Sequence, residues 1–122
     1  MNPRKKRRIE EMLRREVSSI VLYEMSDPRV GSLTLTGVEL SEDQRSARVF
    51  VMVRGTEEAA EESLRVLDGA RGYVQALIGR RLALRYTPIL HFEKDKDVMK
   101  AVRAEELIEE ARRQDQEPPA VL

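Results

Sequence analysis

The sequence predicts a single α+β domain in which helices pack on a three-stranded mixed sheet. Two stretches of alternating apolar residues, separated by a short polar run, are typical of a β-hairpin. Apolar residues at helical spacing occur on both sides of this hairpin. A length of 122 residues and a hydrophobic content of 41% suit one domain with a modest core.

The first helix is predicted to begin at Asn2 and Pro3, which suit the N-cap and the first helical position. Its apolar residues follow the spacing of an amphipathic helix, and they are Ile9, Met12, Leu13, Val17, Ile20 and Val21. The segment 26–31 is rich in turn-forming residues, so we expect the helix to end near Met25.

A hairpin is predicted to follow this turn. Leu33 and Leu35 alternate with threonines, and the alternation changes phase at Gly37, which indicates a β-bulge. The polar residues 41–45 are expected to form the hairpin loop, and the second strand follows over 47–53 with its valines on one face.

The next helical segment is interrupted by two glycines. Thr56 is a suitable N-cap, and an apolar stripe continues in phase from Ala60 to Ile78. Gly69 and Gly72 lie within that stripe, and each glycine inside a helix costs about 1 kcal/mol relative to alanine. We therefore expect a kinked helix pair that ends near residue 82.

The rest of the chain predicts a last strand and a last helix. The strand is expected over 84–93, where Pro88 requires an edge, a bulge or a non-donating position. Asp97 is the predicted cap of the final helix. The predicted organisation is a core domain over 1–96, a C-terminal helix over 97–113 attached to it, and a disordered tail over 114–122.

The predicted order is α-β-β-α-(kink)-α-β followed by the extra helix. A hairpin followed by a helical crossover to a third strand produces a mixed sheet with helices on one face. This order matches a type II KH domain. KH domains bind single-stranded RNA and use a glycine loop to bring their backbone close to it.

Charge is segregated along the chain although Lys plus Arg and Asp plus Glu both number 22. Five consecutive cations occupy residues 4–8, and the segment 71–85 has four arginines and no acid. Acids collect at 57–62 and again near the C-terminus, at 105, 106, 109, 110, 115 and 117. Such a distribution favours contact of one face with phosphate, although solvated helix faces are the simpler interpretation of any single charge run.

Catalysis, metal binding and membrane insertion are not expected. The chain has no cysteine, and its one histidine, His91, lies in an apolar strand without a second ligand nearby. The glutamates at 57–62 suit the first turns of a surface helix. No nucleophile and base pair, P-loop or long apolar run occurs. We expect a cytoplasmic protein without a cofactor.

Several segments together resemble a known family. They are Asp27-Pro28-Arg29, the strand 33–41, Ala47-Arg48-Val49-Phe50-Val51, Ala70-Arg71-Gly72, Leu84-Arg85-Tyr86, Pro88 and Phe92-Glu93-Lys94-Asp95. In this order and spacing, across residues 7–97, the chain resembles ribosome-binding factor A, a bacterial factor for maturation of the small ribosomal subunit. In that family an alanine-x-glycine kink replaces the KH glycine loop.

The resemblance implies binding to small-subunit ribosomal RNA near the decoding region during late assembly. It also implies support for maturation of the RNA ends and importance for growth in the cold. Two residues depart from the family pattern: Gln75 stands where arginine is frequent, and Asp97 stands where serine is common. The segment beyond Arg103 matches poorly, so no function is transferred to it.

The predicted function is therefore a non-catalytic assembly factor that binds the small subunit as a monomer, with nearby ribosomal proteins as further partners. The candidate RNA-binding residues are Arg4, Lys5, Lys6, Arg7, Arg8, Arg29, Ala70, Arg71, Gly72, Arg80, Arg81 and Arg85. Two alternatives stay open. One is a general KH-like binder of single-stranded RNA, and the other is a protein scaffold whose acidic helices dock a basic ribosomal protein.

Overall fold

A computed structural model describes residues 1–25 and 33–116. Its elements follow the predicted order and confirm the α+β class. They are α1 (Pro3–Ser19), a π-helical turn (Ile20–Glu24), β1 (Leu33–Leu40), β2 (Ser46–Val53), α2 (Glu57–Gly69), α3 (Arg71–Arg81), β3 (Ile89–Lys94) and α4 (Lys96–Gln116).

The three strands form one mixed sheet in the order β1-β2-β3. Strands β1 and β2 are antiparallel, and β3 lies parallel to β2. Leu35 pairs with Val51 and Gly37 pairs with Phe50, so Thr36 is the extra residue of a bulge. The mixed sheet and the predicted bulge are both confirmed. Because Ser46 pairs with Ile89 in parallel strands, the start of β3 lies beside the start of β2 and the hairpin loop 41–45. We call this end of the sheet the hairpin end.

The core is aliphatic and lies between one face of the sheet and helices α1, α2 and α3. Its fully buried side chains alternate along β2, as predicted for this strand. The helices and the other strands supply the remaining large buried side chains, among them Leu13, Val17, Ile20, Leu40, Leu67, Val74, Ile78 and Leu90. Burial of this apolar area stabilises the fold at about 25 cal/mol per Å².

The π-helical turn explains how α1 ends where predicted. The N–H of Met25 donates to the carbonyl of Ile20 at 3.0 Å, a separation of five residues in place of four. Ile20 and Val21 are both buried, whereas Leu22 and Tyr23 are exposed. The wider turn thus lets the end of the helix keep two adjacent apolar side chains in the core.

Two predictions near β3 are wrong: the residue at which β3 begins and the residue that caps α4. The strand begins at Ile89 and not at Leu84, and residues 84–88 have no strand pairing. Pro88 is buried directly before the strand, where its missing N–H interrupts no ladder. The cap of α4 is Asp95 and not Asp97, because the Asp95 carboxylate accepts the Val98 N–H at 3.1 Å.

Helix α4 continues to Gln116, beyond the predicted boundary at 113. Every residue from 103 to 115 is exposed, so this part of α4 has no packing partner among the described residues. The predicted turn at 26–31 and the rest of the predicted tail lie outside the described residues. Among the helices within 1–25 and 33–116, none has the length and apolarity to cross a membrane.

Candidate nucleic-acid interface

The cation run 4–8 forms the first turns of α1. Asn2 accepts the Arg4 N–H at 2.8 Å and caps the helix, as predicted. Its exposed cations have no acidic partner among the residues that the structure describes, and they are Arg4, Lys5, Arg7 and Arg8. We call these four residues the α1 basic turn. Positive charge here opposes the helix dipole, so an anion at this place would stabilise the helix.

Two contacts hold the α1 basic turn at the hairpin end of the sheet. Glu10 accepts the Leu40 main-chain N–H at 2.8 Å. The ammonium of Lys6 lies 3.3 Å from the Glu42 carboxylate in the hairpin loop. The charge of Lys6 is therefore partly neutralised by Glu42. Of the five cations at 4–8, four have no acidic partner in the described chain, and Lys6 forms a structural contact.

The predicted kink lies at Ala70, which has φ −90° and ψ 0° and separates α2 from α3. Its N–H donates to the carbonyls of Val66 and Leu67 at 3.0 and 3.1 Å. A Cβ built on Gly69 or Gly72 would meet no atom within 4 Å. Packing inside the protein therefore does not require either glycine, and Gly72 leaves open space above the backbone where α3 begins.

The arginines near the kink differ in whether a carboxylate pairs with their guanidinium group. Arg71 is ion-paired with Asp68 one turn earlier, which reduces its charge toward solvent. Arg80 is exposed and has no acidic partner within the described part of the chain. Of the predicted site residues on α3, Arg80 is thus the one whose charge is uncompensated.

Arg81 joins α3 to the end of the first helix. Its guanidinium lies 3.0 Å from Glu16 and also pairs with both carboxylate oxygens of Glu24, one of them at 2.6 Å. The hydrogen bonds from Arg81 lower the pKa of Glu24, and those from the two glutamates raise the pKa of Arg81. This arginine holds two elements together, and its contact to RNA stays a prediction.

Arg85 lies against an aromatic ring in place of an acid. Its guanidinium carbon is 5.3 Å from the centre of the Tyr86 ring, and that of Arg45 is 4.8 Å from the same ring. Sequence reasoning missed Arg45 and Tyr86, because a single arginine in a hairpin loop has no periodic signal. Only the folded structure shows that these two arginines lie beside the same tyrosine.

The predicted site residues do not form one cluster. Lys6 and Glu16 are ten residues apart on α1, a separation of about 15 Å along the helix. Arg81 is thus remote from the α1 basic turn. Arg85 lies in the irregular segment between α3 and β3, and the first residue of β3 lies at the hairpin end. Arg29 lies outside the described residues.

Gln75, which departs from the family pattern, has a structural contact. Its side-chain oxygen accepts the Leu90 N–H at 2.9 Å, on the open edge of β3. Gln75 therefore covers a donor that the sheet leaves unpaired, and it fastens α3 to this edge.

His91 is exposed on β3 opposite Arg48. Within residues 1–25 and 33–116, no group of three acidic, cysteine or histidine side chains could hold a metal ion.

A groove of about 800 Å³ lies at the other end of the sheet, between the start of α2 and α4. Met52, Met99 and Val102 contribute apolar surface to it. Its cations are Arg54, Lys94, Lys96, Lys100 and Arg103, and its acids are Glu57, Glu58 and Glu106. Charges of both signs therefore mix in the groove, in contrast to the purely basic α1 turn.

These features define a class: a small α+β domain with a kinked helix pair on a three-stranded mixed sheet and one uncompensated basic end. The chain belongs to the ribosome-binding factor A family, whose family model matches residues 5–108. This confirms the resemblance seen in the sequence.

Relatives and solved structures agree with this membership. The chain is 38% identical to ribosome-binding factor A of Halothermothrix orenii over 116 residues, which is 95% of each chain. It is 42% identical to that of Acetivibrio thermocellus over 104 residues, 84% of this chain and 85% of the relative.

The crystal structure of ribosome-binding factor A from Thermus thermophilus has a TM-score of 0.66 and 31% identity, covering 73% of this chain and 93% of that one. A homology model of the Thermus thermophilus protein, fitted into a cryo-EM map of its complex with 30S, has a TM-score of 0.59 and 32% identity, covering 70% and 90%.

Proposed function

We propose that this protein is a non-catalytic assembly factor that binds the small ribosomal subunit through ribosomal RNA. Family membership supports this proposal, as does a structurally similar relative that was fitted into a map of a 30S complex. The observation that carries it is the α1 basic turn, because four exposed cations without acidic partners in the described chain are held rigidly at one end of the domain.

The proposed contacts are electrostatic and positional. Cations of the α1 basic turn neutralise phosphates and release their counterions. At the kink, the open space above Gly72 admits a phosphate backbone close to the main chain. Arg29, Ala70, Arg71 and Arg80 contribute further contacts in this proposal. Occupation of the site then holds one conformation of the RNA until assembly proceeds.

The finer functional claims belong to the same proposal. The protein acts late in maturation, supports processing of the RNA ends and matters most for growth in the cold. It works in the cytoplasm as a monomer, without a metal ion or cofactor, and lies beside ribosomal proteins on the subunit. The family resemblance supports the late action, the processing of the RNA ends and the role in the cold, and the composition of the chain supports the cytoplasmic location and the absence of a cofactor.

Co-sedimentation with purified small subunits tests the proposal. A variant with Arg4, Arg7 and Arg8 changed to glutamate should lose most binding, because three phosphate contacts become repulsive. The matched control changes Lys100, Arg103 and Arg112 on α4 to glutamate and should bind nearly as wild type does. Equal binding of the two triple variants would refute the electrostatic account.

A second candidate function is favoured by α4. The exposed part of α4 carries Leu107 and Ile108, 60% and 53% exposed, among acidic side chains. Glutamates at 105, 106, 109 and 110 complement a basic segment of a ribosomal protein. Changing Glu105 and Glu109 to lysine should then weaken subunit binding, whereas the RNA proposal expects equal or tighter binding.

A further inference from the structure

The hairpin end of the sheet holds two arginines that form no ion pair within the described chain. Arg45 lies in the hairpin loop, and Arg85 lies in the segment before β3. Both guanidiniums lie against Tyr86, at 4.8 and 5.3 Å from the ring centre. We call these three residues the Tyr86 clamp. Each such contact is worth about 0.5 to 1 kcal/mol at an exposed site.

An aromatic partner differs from an acidic one in its effect on charge. Arg48 and Arg81 are each paired with two carboxylates, which orient the guanidinium but also cancel its charge. The ring of Tyr86 orients Arg45 and Arg85 and leaves the positive charge and most N–H donors available. Because both guanidiniums lie within 5.3 Å of one ring centre, together they attract an anion more strongly than either does alone.

The loop that presents Arg45 is held by hydrogen bonds of its own. The Ser41 N–H donates to the Ser46 carbonyl, the Ser46 N–H donates to the Ser41 hydroxyl, and that hydroxyl donates to the Asp43 carboxylate at 2.6 Å. The same carboxylate accepts the Arg45 main-chain N–H at 3.0 Å. The bond from Ser41 first, and then the bond from the Arg45 main chain, lower the pKa of Asp43. The positive charge of Arg45 also lowers this pKa, so Asp43 offsets part of that charge although the two side chains form no ion pair in the described chain.

The segment that presents Arg85 and Tyr86 is fixed to this loop. The Ile89 N–H donates to the carbonyl of Arg45 at 2.9 Å, and Pro88 beside it is buried. The clamp therefore spans two chain segments that the sheet itself holds in register. Little conformational freedom is lost when a ligand binds such a preformed pair of donors.

The Tyr86 clamp shares its end of the sheet with the α1 basic turn. Lys6 contacts Glu42 in the same loop as Arg45, so α1 begins beside the loop that carries the clamp. We propose that Arg45 and Arg85, oriented by Tyr86, bind a phosphodiester of single-stranded RNA and extend the basic turn of α1 into one continuous contact. This inference rests on the proposed function, and it adds Arg45 and the orienting ring of Tyr86 to the predicted RNA contact of Arg85.

The test compares matched charge reversals in the full chain. Variant R45E/R85E should bind a short single-stranded RNA about tenfold or more weakly at about 0.15 M salt, because two phosphate contacts are lost. The control R54E/R103E has the same change of charge in the groove at the opposite end of the sheet, about 25 Å away. The control should retain wild-type affinity.

A salt series and the tyrosine variants separate a clamp from general attraction. The slope of log affinity against log salt should become shallower by about 1.4 in R45Q/R85Q, which also avoids repulsion between new acids. Y86L should weaken binding about two- to fivefold through lost orientation, and Y86F should not. Thermal unfolding checks that each variant folds.

Four outcomes are decisive. Equal affinity of R45E/R85E and R54E/R103E would overturn the clamp, and so would an unchanged salt slope in R45Q/R85Q. If the wild-type chain binds the RNA through the clamp but does not co-sediment with small subunits, the proposed ribosomal function fails and the phosphate site stands. Loss of both RNA and subunit binding in R45E/R85E alone supports the two proposals together.

Discussion

At the scale of one residue, Gly72 lowers the stability of its helix, yet no contact within the protein requires a glycine there. This combination favours a role for Gly72 in binding. A glycine in the first turn of α3 lowers helix stability, and neither a positive φ nor a close neighbour requires it. The open space above it is exposed beside Arg71 and Tyr73. A methyl group there would touch solvent in the free protein, and under the proposed function it would touch the RNA in the complex.

Changing Gly72 to alanine should therefore raise stability and lower affinity. We expect a gain of about 0.5 to 1 kcal/mol in the free energy of unfolding, since alanine favours the helix. Binding to small subunits should weaken, because the new methyl group keeps the RNA backbone away from the kink. Chemical denaturation and co-sedimentation measure the two effects. Gly69→Ala is the control, and unchanged binding in G72A would remove the kink from the interface.

Asp95 joins three elements through one carboxylate and its own main chain. The carboxylate accepts the Thr36 hydroxyl at 2.6 Å from the bulge of β1 and the Val98 N–H from α4, while the Asp95 N–H donates to Val51. The Thr36 bond is the larger cause of its lowered pKa, and the Val98 bond follows. Sequence reasoning chose Asp97, two residues on, because either aspartate fits a cap and only the backbone geometry decides.

Replacing Asp95 by alanine should cost about 1 kcal/mol of stability through the lost cap, with more from the lost Thr36 bond. Asp97→Ala removes an acid from the same helix turn without removing the cap, and it should cost less. Urea unfolding of both variants measures the difference. A D97A variant as unstable as D95A would contradict the observed capping geometry.

Acid should destabilise the protein through carboxylates with lowered pKa values. Hydrogen bonds from Arg14, then Arg15, lower the pKa of Glu11 from 4.5 to about 2, and Asp43 and Asp95 are also lowered. A folded-state pKa below the unfolded one adds stability that is complete above pH 4.5 and is lost as pH falls toward 2. Unfolding measured from about pH 6 to about pH 2 should show this loss, and Glu11→Gln should reduce it. A flat profile would argue against the ion pairs.

At the scale of elements, Arg80 and Arg81 have different tasks although they are adjacent in sequence. Arg81 fastens α3 to Glu16 of α1 and Glu24 of the π-helical turn, whereas Arg80 extends into solvent. Charge in the sequence predicts both as equal candidates for RNA. The ion pairs of Arg81 arise from the crossing of α1 and α3, which no local pattern encodes.

The variant R81E should lower the thermal midpoint, because it places a third carboxylate beside two others. R80E should leave the midpoint nearly unchanged and should weaken binding to small subunits. Thermal unfolding and co-sedimentation of the two neighbours separate a fastening residue from a binding residue. The distinction fails if R80E destabilises the fold as much as R81E does.

Elements with a strong period were predictable, and those that depend on tertiary contacts were not. The bulge at Gly37 and the kink near Gly69 and Gly72 show in the sequence as a phase change and as glycines inside an apolar stripe. The start of β3 was misplaced, because alternation before Pro88 resembles a strand but lacks a partner. The sequence predicts Arg85 as a site residue but does not indicate its neighbours in the clamp, because Arg45 is forty residues away and shares no period with Arg85 and Tyr86.

For the whole molecule, a net charge of zero conceals an uneven surface. The hairpin end carries the α1 basic turn and the Tyr86 clamp, while α4 extends an acidic, exposed helix elsewhere. Segregation of this kind orients a protein on a polyanion and keeps its other faces repelled. The central claim is that the hairpin end binds ribosomal RNA through uncompensated cations.

The salt dependence of binding to purified small subunits tests this claim most directly. The four contacts of the α1 basic turn contribute about −3 to the slope of log affinity against log salt, and the two clamp arginines contribute about −1.4, in addition to the contacts near the kink. We expect the wild-type chain to follow the steeper line and R45Q/R85Q the shallower one. Binding that is tight but independent of salt would show that the subunit is recognised by another surface of the protein.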